Sequence, residues 1–349
     1  MFTKLKSRFA ANPTVYYAMS IAATWAGIGS LMNGVIMTQT YGVIPSLIWV
    51  LGNTVACIVF GYCALRIPKV REVFCSKAMM WICGLMCVFQ SWLAMNGMQT
   101  VFEDTPIGST GGMIIAYVEA AVFLLILLKF GMIRNVLTDH FGWIIVYLLA
   151  AGVTIAAAIY SRGAWNTISL GLDAENMKTG IWKAILLIPG PFTYPYFFEI
   201  LNYNDANKDG TKKINAKRAF TLGGVLFGVY MAIIFLLAWT KFSPVLNVVK
   251  AVLITLIGTS TLSSAMYSIY IAFGRKIGLG VNAALIAGWQ FLIPLGVMGM
   301  WTLMASVRIY FVVGAILFAV IWHILDKRYL PKRGGDENEE VKHRGTKAL

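Results

Sequence analysis

The sequence predicts an all-α polytopic membrane protein: ten transmembrane helices in two inverted five-helix halves, with the first and sixth helices discontinuous. Three observations carry this. Of 349 residues, 58% are hydrophobic and 13% charged, with a mean hydropathy of +0.72, whereas soluble domains carry about 25% charged residues. The apolar runs reach the roughly 20 residues that cross a bilayer. The basic residues gather in alternate connections, which is the pattern that orients membrane helices.

Apolar runs separated by charged or Gly/Pro-rich breaks place the ten helices at 15–39, 43–66, 78–101, 111–132, 141–160, 178–201, 218–240, 246–273, 280–304 and 308–326. Residues 1–14 form a cytoplasmic N-terminus and 15–160 the first repeat. An extracellular loop at 161–177 leads to the second repeat, 178–326, and a polar cytoplasmic tail at 327–349. The tail is too poor in apolar residues to fold on its own. The first run is longer than a signal-peptide core and no small-residue cleavage site clearly ends it, so it is expected to remain as a span.

The net charge of +14 would suit nucleic acid, but its distribution suits a bilayer. With both termini inside a cell (inner) membrane, all but six of the 29 Lys and Arg fall on the cytoplasmic side. The exceptions are Arg162, Lys178, Lys183, Lys241, Lys250 and Arg308, while the outer loop at Glu103 and Asp104 is acidic. The basicity is therefore topogenic, with lipid as the expected partner and no nucleic acid. Cys57, Cys63, Cys75, Cys83 and Cys87 have no CxxC spacing. They read as small buried hydrophobes, with no disulfide or metal site expected.

Helix 1 carries TWAGIGSLMNGVIMTQTYG, residues 24–42, with glycines at 27, 29, 34 and 42 among Ser30, Asn33, Thr38, Gln39 and Thr40. Alone, this suits close packing through small residues. Helix 6 carries IPGPFTYPYFFE, residues 188–199, in which Pro189, Pro191 and Pro195 surround Gly190. Each proline removes a donor and clashes with the preceding turn, and freed carbonyls in a membrane must be met by protein or a wet cavity. Interrupted helices in matching positions of two inverted halves mark the binding site of a transporter. Helix 8 adds IGTSTLSSAMYS, residues 257–268, with hydroxyls at Thr259, Ser260, Thr261, Ser263 and Ser264. Such hydroxyls commonly bond back to their own helix; together with unwound helix 1 carbonyls they also suit a sodium ion, without a buried carboxylate.

The run TWAGIGSLMNGVIMTQTYGVIPSLIWVLGN into LRIPKVREV, the stretch PYFFEILNYNDANKDGTKKINAKRAF and the STLSS of helix 8 resemble the sodium:solute symporters of the LeuT-type fold, within the amino acid–polyamine–cation superfamily. The ten-helix size and the outer loop VFEDTPIG also resemble the small YkvI-like membrane proteins of that superfamily. The resemblance implies a sodium site formed by Ser260 and Thr261 with backbone carbonyls of Ala23 and Ala26; a shift of one residue would make these Thr24 and Gly27. It implies a solute site at Ser30, Asn33, Phe192, Thr193 and Tyr194. Sodium would be the coupling ion, with no other cofactor. Proton-coupled relatives often place a lysine on helix 5; here FGWIIVYLLAAGVTIAAAIY has no charge, which favours sodium.

Other polar residues are ambiguous. Glu119 in helix 4 is either an intramembrane functional carboxylate or an interfacial one. Gln90, Asn96 and Gln99 share one face of helix 3, which lines a solute pathway or bonds to helix 8. Gln290 and His323 read as structural and interfacial. No HExxH, GxSxG, P-loop or carboxylate–His constellation points to an enzyme. The expected function is sodium-coupled symport of a small organic solute by alternating access; the alternative is a sensor, regulator or interaction protein that retains the fold. For a charged solute no intramembrane counter-charge is evident, leaving the helix-break dipoles to hold a carboxylate.

Overall fold

A computed structural model describes residues 12–103, 105–130, 132–160, 169–205, 214–235, 244–291 and 296–329. The predicted N-terminal segment to residue 11, the loop 161–168 and the tail beyond 329 lie outside the described residues. Helix 1 is two helices, α1 (Pro13–Trp25) and α2 (Ile28–Tyr41), followed by α3 (Val43–Arg66) and a short α4 (Pro68–Phe74). Then come α5 (Lys77–Val101), α6 (Gly108–Phe130) and α7 (Met132–Tyr160). The interrupted sixth segment is α8 (Ala174–Leu187), a 3-10 turn (Gly190–Thr193) and α9 (Pro195–Asp205). The chain continues through α10 (Ala216–Phe235), α11 (Pro244–Phe273), α12 (Arg275–Gly288) and α13 (Gly296–Tyr329).

Among the described residues six helices are long and apolar enough to cross a membrane, within α3, α5, α6, α10, α11 and α13. The pair Ala174–Thr193 and Pro195–Asn202, bent by 59°, makes a seventh if taken as one span. The count falls short of ten for physical reasons. The break cuts the first segment into pieces of 13 and 14 residues, each too short to span alone. In α7 the described residues give a shorter apolar stretch, Gly142–Ala156, and α12 has 14 residues. The molecule is a multi-pass membrane protein.

Two predicted boundaries are corrected. Helix 9 was expected to run to 304 and helix 10 to begin at 308; instead α12 ends at Gly288 and α13 runs unbroken from Gly296 to Tyr329. Arg308, expected as the first residue of helix 10, therefore lies well inside α13. Helix 5 was expected to begin at 141; α7 begins at Met132 and brings Asp139 inside the fold. Val136, Asp139, Trp143, Val146, Ala150 and Val153 are all buried, at the alternating three-and-four spacing of one helix face.

The core centres on α11, which packs against α5, α7, α12, α9 and α1, while α10 packs on α3 and α1 and α8 on α3. Close approach relies on missing side chains: a Cβ at Gly52 of α3 would lie 2.6 Å from the Cβ of Ala184 in α8. On the face carrying α4, Lys69 contacts Glu72 at 2.8 Å and Asp326 at 3.6 Å, which ties α4 to the end of α13.

Candidate functional site

Both interruptions are local consequences of sequence, and they meet. At the end of α1 the Gly27 amide bonds the Trp25 carbonyl at 3.0 Å. A continuous helix would direct that amide to Ala23, so the Ala23 carbonyl loses its helical partner. In the sixth segment Ile188 to Tyr194 turn through Pro189 and Pro191 before Pro195 starts α9 as its first residue, where a proline costs nothing. A Cβ at Gly190 would stand 2.0 Å from the Trp25 ring, and the rings of Trp25 and Tyr194 meet edge-on at 6.0 Å. Only glycine at 190 lets the two breaks touch.

The freed carbonyls of the sixth segment have partners that sequence reading missed. The Cys83 thiol donates to Phe192 O at 3.7 Å and the Cys87 thiol to Thr193 O at 3.6 Å. These cysteines, one turn apart on α5, are more than small hydrophobes: weak S–H donors placed against unwound backbone. The Thr193 hydroxyl closes back on Gly190 O at 2.7 Å. Phe192 packs edge-on against Phe60 at 5.0 Å and tilted against Phe74 at 5.4 Å.

The proposed ion ligands come together in part. Thr261 Oγ1 donates to the Ala26 carbonyl at 3.0 Å, and Thr24 Oγ1 to Ser264 Oγ at 2.8 Å. Gly27 also lies against Thr261: a Cβ there would be 3.6 Å from its hydroxyl. Ser260 Oγ donates to Asp139 Oδ1 at 2.9 Å, and Ser20 donates to the other oxygen of the same carboxylate while also contacting the Tyr196 hydroxyl at 2.6 Å. A buried carboxyl group thus stands beside Ser260, and the fifth helix, read as uncharged over 141–160, carries Asp139 before that stretch. Asp139 is 2% exposed, one hydrogen bond from Ser260. Its readable signal was its place on the apolar stripe of α7. The remaining α11 hydroxyls bond back to their own helix, Thr259 to Thr255 O at 2.7 Å and Ser263 to Ser260 O at 2.9 Å. Thr259 also donates to Glu119 Oε2 at 2.8 Å, so Glu119 joins α6 to α11.

The proposed solute residues separate. Ser30 and Tyr194 line a small inner cavity of about 20 Å³ together with Trp25, Asn53, Gln90, Trp301 and Arg308. Asn33 lines a neighbouring cavity of about 60 Å³ with Tyr41, Lys183 and Trp301; both polar atoms of its buried side chain are without a partner. Phe192 and Thr193 are fully buried and line neither cavity. Of the helix 3 face, Gln90 reaches the inner cavity, while Gln99 bonds Gln290 at 2.9 Å and Ser109 at 3.1 Å.

Arg308 reverses the expectation that the membrane interior offers no counter-charge. It is 7% exposed and lies about 18 Å from the start of α13 and about 31 Å from its end. A charge at such depth costs about 2.5–3.5 kcal/mol on insertion scales and is kept facing the bundle interior or a wet cavity. α13 touches α5, α2, α8 and the 3-10 turn, so this helix closes the cavity from the side opposite the core.

These elements define a multi-pass helical membrane protein in which two broken helices meet beside a polar cavity. No protein-family model and no curated protein sequence matches the chain. Among solved structures it is similar to three point variants of the manganese transporter of Eremococcus coleocola. Each is 15% identical over 90% of this chain and 73% of that one, with a TM-score of 0.41. The same transporter in complex with an aromatic bis-isothiourea substituted compound is 14% identical, with a TM-score of 0.38.

Proposed function

We propose that this protein is a secondary active transporter of the LeuT-type fold that moves a small organic solute together with sodium by alternating access. The observation that carries the proposal is the contact of the two breaks: Trp25, the last residue of α1, lies against Gly190 and Tyr194 in the interruption between α8 and α9. Discontinuous helices that meet at mid-membrane are how such proteins expose backbone dipoles to a solute and an ion. The ten-helix 5+5 arrangement and cytoplasmic termini in a cell membrane belong to the same proposal.

Sodium is held by the Ala23 and Ala26 carbonyls and the Ser260 and Thr261 hydroxyls, with Asp139 supplying the negative charge that the predicted set lacked. In the present arrangement the Thr261 and Ser260 hydroxyls donate to Ala26 O and Asp139. An arriving cation turns those hydrogens away and takes the oxygen lone pairs. Coupling follows when the ion binds the outward-open and inward-open arrangements with different affinity.

Uptake into proteoliposomes with and without a sodium gradient tests the proposal. Solute flux driven by sodium but not by potassium is expected. Flux driven only by a pH gradient replaces sodium with the proton. Ligand binding without flux, across a broad panel of solutes, leaves the sensor or regulator instead.

A further inference from the structure

Resting on the reading of the inner cavity as the solute site, we propose that the solute is a small organic carboxylate and that Arg308 is the residue that binds its carboxyl group. Arg308 Nε is buried without a hydrogen-bond partner. Its Nη2 donates to the neutral Gln90 Oε1 at a long 3.5 Å, and the guanidinium also has the neutral Tyr194 hydroxyl as a hydrogen-bond partner. Among the described residues no carboxylate stands within 4.0 Å of the Arg308 guanidinium. Burying an unpaired cation is unfavourable, and proteins pair such charges or open them to a cavity. Here the charge lines a cavity, and among the described residues no carboxylate pairs with it.

The surroundings select the ligand. A guanidinium presents parallel N–H donors that match the two oxygens of a carboxylate. Trp25 Nε1, another lining donor, is also buried without a partner, and a carboxylate oxygen is the acceptor it lacks. Trp25, Leu187 and Trp301 offer flat apolar surface to the body of a small organic acid, and Ser30, Asn53 and Gln90 add polar groups beside it. Trp301 lies about two helical turns from Arg308 on one face of α13 and lines both cavities. The neighbouring cavity holds a second cation, Lys183, 5.6 Å above the Tyr41 ring. An anion passing from one cavity to the other thus moves from Lys183, past Trp301, to Arg308. The inner cavity at about 20 Å³ admits about one water, so solute entry requires the ring of Trp301 or Trp25 to move.

The test uses the full chain purified in detergent, with thermal stabilisation measured for acid–amide pairs: acetate and acetamide, benzoate and benzamide, alanine and alaninamide, phenylalanine and phenylalaninamide. Chloride and phosphate serve as inorganic anions. At least one acid is expected to stabilise saturably where its amide does not. Arg308→Gln is expected to weaken that binding about tenfold or more, with Arg308→Lys between the two, because the fork is lost but the charge kept. Equal effects of acid and amide, stabilisation by inorganic anions alone, or no acid effect at all would overturn the assignment. So would an Arg308→Gln protein that still responds to sodium and binds the acid as the wild type does. Should Arg308→Gln not fold, an acid-to-amide ratio in Arg308→Lys equal to that of wild type overturns it equally. Proteoliposome flux separates this proposal from the one it rests on. Acid binding without flux upholds Arg308 and sinks the transporter; flux of a solute indifferent to Arg308→Gln does the reverse.

Discussion

Ser260 on α11 donates its hydroxyl to Asp139 on α7 across 2.9 Å, with the carboxylate buried. This bond places a buried carboxyl group beside the hydroxyl pair that an ion would use. It also joins a helix of the first half of the chain to one of the second.

Asp139→Asn keeps an acceptor for one of Ser260 and Ser20, turns an N–H donor to the other hydroxyl, and cannot carry a negative charge. Sodium-over-potassium thermal stabilisation is expected to fall about tenfold in apparent affinity, since interactions with a charged partner contribute roughly 1.5–3 kcal/mol against about 1 for a neutral one. Unchanged sodium dependence would move the ion site elsewhere. Ser260→Ala/Thr261→Ala should lose the same response without altering expression.

Gly190→Ala puts a methyl where the Trp25 ring already lies, 2.0 Å away. Overpacking of this kind costs about 1–3 kcal/mol, and a clear fall in melting temperature is expected. Gly280→Ala in α12 is the control: its Cβ meets nothing within 4 Å, and Ala in a helix interior gains about 0.5–1 kcal/mol over Gly. If both variants melt alike, the breaks do not depend on their contact.

Cys87→Ala strips the Thr193 carbonyl of its donor. Leaving a buried acceptor unsatisfied costs about 1–3 kcal/mol, whereas Cys87→Ser restores an O–H donor and should recover most of the loss. Thermal melts of the two variants check this. Equal destabilisation would mean that the thiol acts through packing alone.

Asp173 caps α8, its carboxylate accepting from the Asn176 amide at 2.9 Å. That bond holds the carboxyl below its ordinary value. The cap therefore stabilises fully above the unfolded carboxylate value, and its contribution is lost as pH falls through the lowered folded value. Asp173→Asn should flatten this part of the acid-side stability profile. A profile identical to wild type would show that the cap contributes nothing measurable.

Sequence alone determined the features that depend on a residue and its chain neighbours. The apolar runs, the prolines around Gly190 and the glycines after Trp25 fix where helices form and where they break, because φ restriction and missing donors act locally. The meeting of Thr261 with the first break was legible too, through the hydroxyl run on α11. What only the tertiary structure decided was which side chains face which space. Phe192 and Thr193, read as solute contacts, turn into the packed interior, and Cys83 and Cys87 become partners of unwound carbonyls. Asp139 sat before the predicted start of helix 5 and Arg308 at the first residue of helix 10; in the fold one joins a buried face and the other lines a cavity. A side chain's direction is set by the neighbour its helix packs against, which lies far along the chain, and that is why sequence reading gave neither charge a place beside the helix breaks.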